Sequence, residues 1–295
     1  MVRAPPAERS VRELLSFGVV NLDKPPGPSA HQVAAWVRDA TGQDRVAHGG
    51  TLDPKVTGCL PILLGDAARA ARIFDDAVKE YVAVLELHDR APPDFDTVVA
   101  EFEGDIYQKP PHKSAVKRQL RTRHIHDLDV LEREDRRALL RVRCASGTYI
   151  RKLCHDVGLA LGTGAHMGDL RRTATGRFDD RSLVSMHDLL DALAFAEDGD
   201  ERDLREFVQP AETALAHLPR LVAAPSAAEA IADGAPVYAP GVIDGLAAEV
   251  GDATPAAGEL LVIVTPDGSA VALGTLVGEP DADSGTVAEL ERVLV

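Results

Sequence analysis

Eleven residues, His48 to Gly58, constrain this chain more than any other stretch: His-Gly-Gly-Thr-Leu-Asp-Pro-Lys-Val-Thr-Gly. Gly49 and Gly50 permit positive φ or the close approach of another backbone. Pro54 fixes φ immediately after the acid, and Leu52 supplies an apolar contact. The chain must turn here, and the neighbours of Asp53 aim its carboxylate. An ordinary Asp-Pro turn carries the same local signature, so the rest of the sequence decides what the acid is for.

Around this turn the elements alternate. Phe17 to Leu22 is a short apolar strand that ends in the loop Asp23-Lys24-Pro25-Pro26-Gly27. Ser29 and Gln32 form a capping-box pattern, with Val33, Trp36, Val37 and Ala40 at helical spacing and Gly42 closing the helix. Beyond Asp53 comes a second apolar stretch, Cys59 to Leu64. Tyr81 to Leu87 alternates as a strand, with Tyr81, Ala83, Leu85 and Leu87 on one face. Leu139 to Cys144 is another, with Leu140, Val142 and Cys144 together. Ser146-Gly147-Thr148-Tyr149-Ile150-Arg151 then enters a helix whose apolar face is Ile150, Leu153, Cys154 and Val157, ended by Gly158. Arg151 falls in its first turn, where the helix dipole disfavours a cation. A carboxylate partner is therefore expected for it.

Val208 to Pro219 reads as a connector, which predicts two domains, 1–214 and 218–295. The second opens with another capping-box pattern, Ser226 to Glu229, and a short helix to Asp233 stopped by Gly234. Strands follow at Pro236 to Ala239, Glu259 to Thr265 and Ala270 to Val277, the last two flanking the turn Pro266-Asp267-Gly268. Periodicity alone gives an α+β protein with a small β-rich second domain.

The net charge of −15 argues against a nucleic-acid ligand until it is divided along the chain. Residues 1–181 carry 28 Lys and Arg against 26 Asp and Glu, whereas 182–295 carry 4 against 21. In the first part Lys109, Lys113, Lys117, Arg118, Arg121 and Arg123 occur with no acid among them, a candidate phosphate-contacting stripe. Arginine outnumbers lysine 25 to 7, and the acid-rich balance resembles proteins of halophilic organisms that keep high internal salt. Under such salt counterion release contributes little, so stacking and bidentate arginine contacts carry more of any RNA affinity.

No run approaches membrane-spanning length, and the N-terminus lacks a secretory pattern. Cys59, Cys144 and Cys154 are odd in number and without C-x-x-C spacing, indicating neither a disulfide framework nor a zinc site. A soluble cytoplasmic protein with no metal and no membrane partner is expected. No G-x-G-x-x-G follows a strand, which excludes a Rossmann-type cofactor enzyme.

The series Leu22-Asp23-Lys24-Pro25-Pro26-Gly27, His48 to Gly58, Lys79-Glu80-Tyr81, Ser114-Ala115-Val116-Lys117-Arg118, Ser146 to Arg151, and Leu170-Arg171-Arg172 with Gly176 and Phe178 resembles the TruB/dyskerin pseudouridine synthases. Order and spacing agree over residues 17–190. Ala228 to Gly234, Pro240-Gly241-Val242 and Val271-Ala272-Leu273-Gly274 are similar to the PUA RNA-binding domain. Within the family, Lys113 to Arg123 and the tail domain resemble the archaeal, dyskerin-type branch of box H/ACA particles, although Val277 to Ser284 is more acidic than in relatives.

The resemblance implies a pseudouridine synthase fold, a mixed and mostly antiparallel sheet with flanking helices and a central cleft, joined to a PUA pseudo-barrel. Residues before Phe17 either pack on that barrel, as in relatives, or are disordered, as their composition suggests. The implied reaction breaks the bond from sugar to base nitrogen, rotates the base and rejoins it through carbon. It involves no redox change and needs no cofactor. By resemblance Asp53 is the essential acid, whether it attacks sugar or base or abstracts a proton, and Arg151 pairs with it, favouring its charged form. A base inside RNA must be extruded to react. Tyr81 then stacks on the flipped uracil, His48 helps displace it, Tyr149 and Leu170 line the pocket, and Lys24 either contacts phosphate or shapes the cleft. Lys113, Lys117, Arg118 and Arg121 are placed on the RNA backbone. The implied substrates are the T-loop uridine of tRNA and guide-directed rRNA sites, the latter with H/ACA guide RNA and small H/ACA proteins as partners of an otherwise monomeric subunit. The alternative from another class is a non-catalytic RNA-binding scaffold, which loss of Asp53, Tyr81 or Arg151 would have marked. All three are present.

Overall fold

A computed structural model of the chain describes residues 2–109, 119–247 and 256–295. Ten strands make one sheet: β1 (Phe17–Lys24), β2 (Val46–His48), β3 (Thr57–Gly65), β4 (Lys79–Leu87), β5 (Gly104–Gln108), β6 (Arg121–Arg133), β7 (Arg137–Cys144), β8 (Ala165–Thr175), β9 (Phe178–Asp179) and β10 (Val208–Pro210). Their order is β10-β1-β3-β8-β4-β7-β6-β5, with β2 beside β3 and β9 beside β8. Neighbours run antiparallel except β3 and β8, whose parallel pairing is the seam between the two halves of the sheet. The expected mixed, mostly antiparallel sheet of an α+β protein is what the chain forms.

Helices α1 (Val11–Ser16), α2 (Ala30–Thr41), α3 (Phe95–Ala100), α4 (Ile150–Ala160), α5 (Met186–Glu197) and α6 (Arg202–Phe207) belong to this half. Val33 and Val37 of α2, Leu153 and Val157 of α4 and Leu189 of α5 share one apolar cluster with Val20, Leu22, Leu60, Ile62, Ala83 and Leu140 of the sheet. The expected capping box forms at α2, with Ser29 accepting from Gln32 N, and Gly42 closes it at φ 65. β1 and β3 are buried on both faces, so they read as continuous apolar runs. Their other face presents Phe17, Val19, Cys59 and Leu63 to a second cluster shared with α7 (Glu212–Leu215) and the second sheet.

That second sheet holds β11 (Arg220–Ala223), β12 (Val237–Tyr238), β13 (Val242–Ala247), β14 (Leu260–Val264), β15 (Ala270–Leu276) and β16 (Thr286–Val293), ordered β12-β16-β15-β14-β11-β13, with α8 (Pro225–Ala232) after β11. The expected connector divides: Val208–Pro210 pairs with β1 in the first sheet, and β11 begins at Arg220.

Three local expectations are corrected. Gly158 does not end α4, which continues to Ala160; a Cβ at Gly158 would fall on the backbone of Ala165, so this glycine lets the helix lie against β8. Ser226 is inside α8, whose N-cap is Ala224 with no side-chain bond and whose first residue is Pro225, a helix start set by the ring's fixed φ. The strand expected over Pro236 to Ala239 shortens to Val237–Tyr238.

The first residues are tied to the end of the chain. Arg3 donates to Asp66 Oδ2 (2.9 Å) and to the Leu294 carbonyl (2.7 Å), and Ser269 Oγ donates to the Ala4 carbonyl (3.0 Å). Arg9 is fully buried and donates twice to Glu212, at 2.8 and 2.7 Å, while Glu212 also accepts from Ala270 N (3.0 Å). Removing one member of a buried pair leaves the other charge uncompensated. Arg9→Met is expected to lower unfolding free energy by about 3 to 5 kcal/mol, and Arg9→Met with Glu212→Leu to cost less than the single change. Denaturant titration in concentrated KCl checks this; a double variant no more stable than the single one would refute the ion-pair account.

Candidate active site

The start of β3 lies beside Arg171 and Arg172, in the second half of β8, because Gly58, at φ 97, has no side chain: a Cβ there would fall on the Arg172 carbonyl oxygen. The turn before β3 carries Asp53. Val56 N donates to the Asp53 carbonyl at 3.0 Å, and Leu52 and Val56 are buried beneath it. Lys24, at the end of β1, is completely buried. Its ammonium donates to the carbonyls of Pro25 (2.9 Å), Pro54 (3.1 Å) and Val56 (2.8 Å), and Gly27 N adds a bond to Pro54 O at 2.8 Å. The side chain is thus closed to solvent, and its ammonium is committed to the backbone of the two loops. Burial pushes its pKa down, with the Asp53 charge opposing.

Asp53 itself stays open, its side chain 55% exposed, and its Oδ2 accepts from the guanidinium of Arg151, 52% exposed. The carboxylate partner expected for a cation at a helix start is thus Asp53, 98 residues away in sequence. So exposed a pair adds little stability; what it fixes is direction. The start of α4 is itself held by buried Gln108, whose Nε2 donates to the Tyr149 carbonyl (3.2 Å) and whose Oε1 accepts from Tyr149 N (2.9 Å).

Tyr81 on β4 is 8% exposed and stands opposite Arg172 on β8; Leu170, on the same side of β8, stands opposite Ala83. Burial pushes the Tyr81 phenol up from its ordinary value, and the Arg172 guanidinium works against that. His48 ends β2, with its ring edge-on to His31 at 4.6 Å and its Nδ1 buried without a partner among the described residues. Burial lowers its pKa, and the nearby His31 and Arg172 lower it further. Lys24, His48, Asp53, Tyr81, Arg151 and Leu170 therefore gather at the β3–β8 seam, with Tyr149 at the adjoining helix start. Of the basic stripe, Lys113, Lys117 and Arg118 lie outside the described residues, and Arg121 opens β6, half-buried.

Two buried cations beside this site were given no role by the sequence. Arg172 is completely buried; its Nε donates to the Cys59 carbonyl (2.7 Å), its Nη2 to the Gly50 carbonyl (3.3 Å), and its Nη1 has no hydrogen-bond acceptor among the described residues. Lys79 donates to the carbonyls of Phe74 (3.0 Å) and Ala77 (2.8 Å) and to Ser146 Oγ (3.3 Å), and burial, then Arg172, pushes its pKa down to about 8. Neither makes an ion pair with a described residue. Strand parity could have found them, because Lys79 is two residues from Tyr81 and Arg172 two from Leu170, on the inward faces. Arg171, between them in parity, instead faces Asp23 with two bonds of 3.0 Å.

Burial pushes the thiols of Cys59 and Cys154 up to about 12 and that of Cys144 to about 11, which leaves them inert. Among the described residues no group of three or more His, Cys, Asp or Glu could hold a metal, and no helix is long and apolar enough to cross a membrane.

Sequence comparison matches residues 38–94 and 89–150 to the TruB family pseudouridylate synthase N-terminal domain, residues 151–216 to the tRNA pseudouridylate synthase B C-terminal domain, and residues 4–34 to the DKCLD (NUC011) domain. A Haloarcula marismortui protein named "Probable tRNA pseudouridine synthase B" is 76% identical over 294 residues, covering 100% of this chain and 94% of that protein. A Halobacterium salinarum protein of the same name is 61% identical, covering 100% and 99%. Among solved structures, the chain resembles one in a Cbf5-Nop10-Gar1 complex, with a TM-score of 0.92 and 43% identity over 100% of this chain and 90% of that one. It also resembles one in an H/ACA RNP bound to a substrate RNA containing 2'-deoxyuridine, with a TM-score of 0.89 and 41% identity over the same shares.

Lys79 gives the site a pH signature. Its folded pKa, about 8, lies below the ordinary 10.5, so between those values the unfolded chain holds a proton that the folded one has lost. Stability then rises with pH through this window, and below about pH 8 the penalty is fully present. Lys79→Met is expected to remove a rise of about 3 kcal/mol across the window. Denaturation midpoints measured from pH 7 to 10 check this, and an unchanged slope in the variant would contradict it.

Proposed function

Because the chain belongs to the TruB family of pseudouridylate synthases, we propose that Asp53, steadied by Arg151, drives the isomerisation of uridine to pseudouridine in RNA. The observation that carries the reading is the exposed Asp53–Arg151 pair beside a wall of Tyr81 and Leu170. A carboxylate held in place yet open to solvent can meet a nucleotide delivered from outside. Tyr81 stacks on the extruded base, His48 takes part in its displacement, and Tyr149 and Leu170 bound the pocket. Lys24 serves the site from behind by holding the Asp53 turn, while Lys113, Lys117, Arg118 and Arg121 meet the RNA backbone. Residues 1–214 form the catalytic domain and 218–295 a PUA-type RNA-binding domain. The bond exchange is internally balanced and calls for no cofactor. Three buried, unpaired thiols suit the reducing cytoplasm.

Two substrate classes follow from the relatives. The name shared by the 76% and 61% identical proteins points to tRNA, and the family resemblance adds its T-loop uridine as the target. The neighbours solved with Nop10, Gar1 and H/ACA RNA favour a second reading, guide-directed modification with those small proteins as partners.

Purified protein in concentrated KCl is expected to release tritium from a tRNA transcript whose uridine carries the label at carbon 5, and Asp53→Asn to abolish release. Release persisting in the variant would remove Asp53 from the mechanism. Repeating the assay on an rRNA fragment with guide RNA and the small partner proteins tests the second reading. Conversion of tRNA only when those components are added would rule out stand-alone action.

A further inference from the structure

Arg172 and Lys79 are a poor choice of residues for a purely structural task. An apolar side chain of similar volume fills a buried position without the desolvation that a charge suffers, and carbonyl bonds offset that penalty only in part. Neither residue has a carboxylate partner among the described residues; Asp75 and Asp76, whose charges reach Lys79, make no ion pair with it. Arg151 and Lys24 differ from them: the first is neutralised by Asp53, and the second has its ammonium committed to three carbonyls of the Asp53 turn.

The two cations converge on one place. The point where a Cβ of Gly50 would stand is 3.4 Å from Arg172 Nη1 and 3.5 Å from Lys79 Cε. Gly50 at φ 101 begins the turn that leads to Asp53, and its carbonyl is held by Arg172. Tyr81 faces Arg172 across the β4–β8 pair, and Lys79 precedes Tyr81 by one inward position on β4. Positive charge without an anion thus stands directly behind the wall formed by His48, Gly50 and Tyr81.

We propose that Arg172 and Lys79 are positioning residues that stabilise the negative charge of the detached base, acting through the Tyr81 hydroxyl and the Gly50 turn. The proposal rests on the reaction proposed above and deepens it. When the bond from N1 to C1′ breaks, the electron pair stays with N1, the base carries a negative charge spread over O2 and O4, and the positive charge left at C1′ is met by the Asp53 carboxylate. That charge is discharged when C5 bonds to C1′; the C5 proton then leaves to water and N1 takes a proton back. While detached and rotating, the base carries that charge with no covalent partner to share it, and fixed charges that need no reorganisation are most effective for such a species.

The test compares two RNAs, a tRNA transcript with uridine at the target and the same transcript with 5-fluorouridine, whose detached base is the weaker base and needs less stabilisation. Single-turnover loss of the target nucleotide is followed by nucleoside mass spectrometry. Arg172→Met is expected to slow the uridine RNA about 10²-fold and the fluorinated RNA far less, with RNA affinity by filter binding unchanged. Arg172→Lys should restore most of the uridine rate. Equal losses on both RNAs, or no loss on either, would overturn the proposal, because a misplaced wall slows both alike. If Arg172→Met fails to fold by circular dichroism, Lys79→Met carries the same comparison with the same deciding outcomes. Wild-type protein that converts neither RNA would instead refute the reaction itself, and this proposal with it.

Discussion

One ammonium group cut off from water, that of Lys24, decides where Asp53 can stand. A buried lysine must find hydrogen bonds or lose several kcal/mol, and the three acceptors available are carbonyls of Pro25, Pro54 and Val56. Those carbonyls belong to the two proline-rich loops that meet beside the parallel seam. As long as Lys24 remains charged and dry, neither loop can relax, and Asp53 between them keeps its aim. The same device recurs with Lys79 and Arg172, whose partners are also mostly backbone carbonyls. Carbonyls fixed by the turns and strands around them do not reorient, so the positive charge is held in a fixed frame while Asp53 stays exposed.

Much of this was legible because it is local. The alternation of Tyr81, Ala83, Leu85 and Leu87 reports a strand half-buried on one face, and β4 shows that pattern throughout. The capping residues Ser29 and Gln32 fix the start of α2 within a few bonds of themselves. An arginine at the unfavourable end of a helix dipole was enough to call for an acid, and Asp53 answers it. What could not be read is non-local. β8 pairs with β4 through register shifts at Glu80/Tyr81 and Ala83/Leu85, which break the period-two signal, so the central strand did not announce itself. Gly158 looked like a helix stop because its actual constraint, the backbone of Ala165, comes from another element. Lys79 and Arg172 were inside quoted motifs, but charge argues for the surface until strand parity is weighed against it. Half of the basic stripe lies outside the described residues.

The chain's acidity and its RNA chemistry are reconciled by where the charges sit. On the open face of the first sheet, Arg137 pairs with Glu86, Arg141 with Asp129 and Arg143 with Asp127, all across neighbouring strands and all substantially exposed. Concentrated salt screens such pairs within a few ångströms, so they neither bind nor repel a distant phosphate strongly. The cations behind the Asp53 turn, Lys24, Lys79 and Arg172, are different, for they are enclosed by protein and salt reaches them poorly. Electrostatics in this molecule is therefore weak where it is solvated and strong where these three are buried.

The bond from Arg3 to the carbonyl of Leu294 joins positions 291 residues apart. A ribosome makes this donor long before its acceptor, so the contact must wait while the intervening polypeptide emerges. The first sheet can gather during that interval, but the cluster that Phe17, Val19, Cys59 and Leu63 share with the second sheet is complete only once Leu294 has been made. A chain cut short of Leu294 would keep Arg3 on Asp66 and lose the carbonyl that clasps it beside the second sheet.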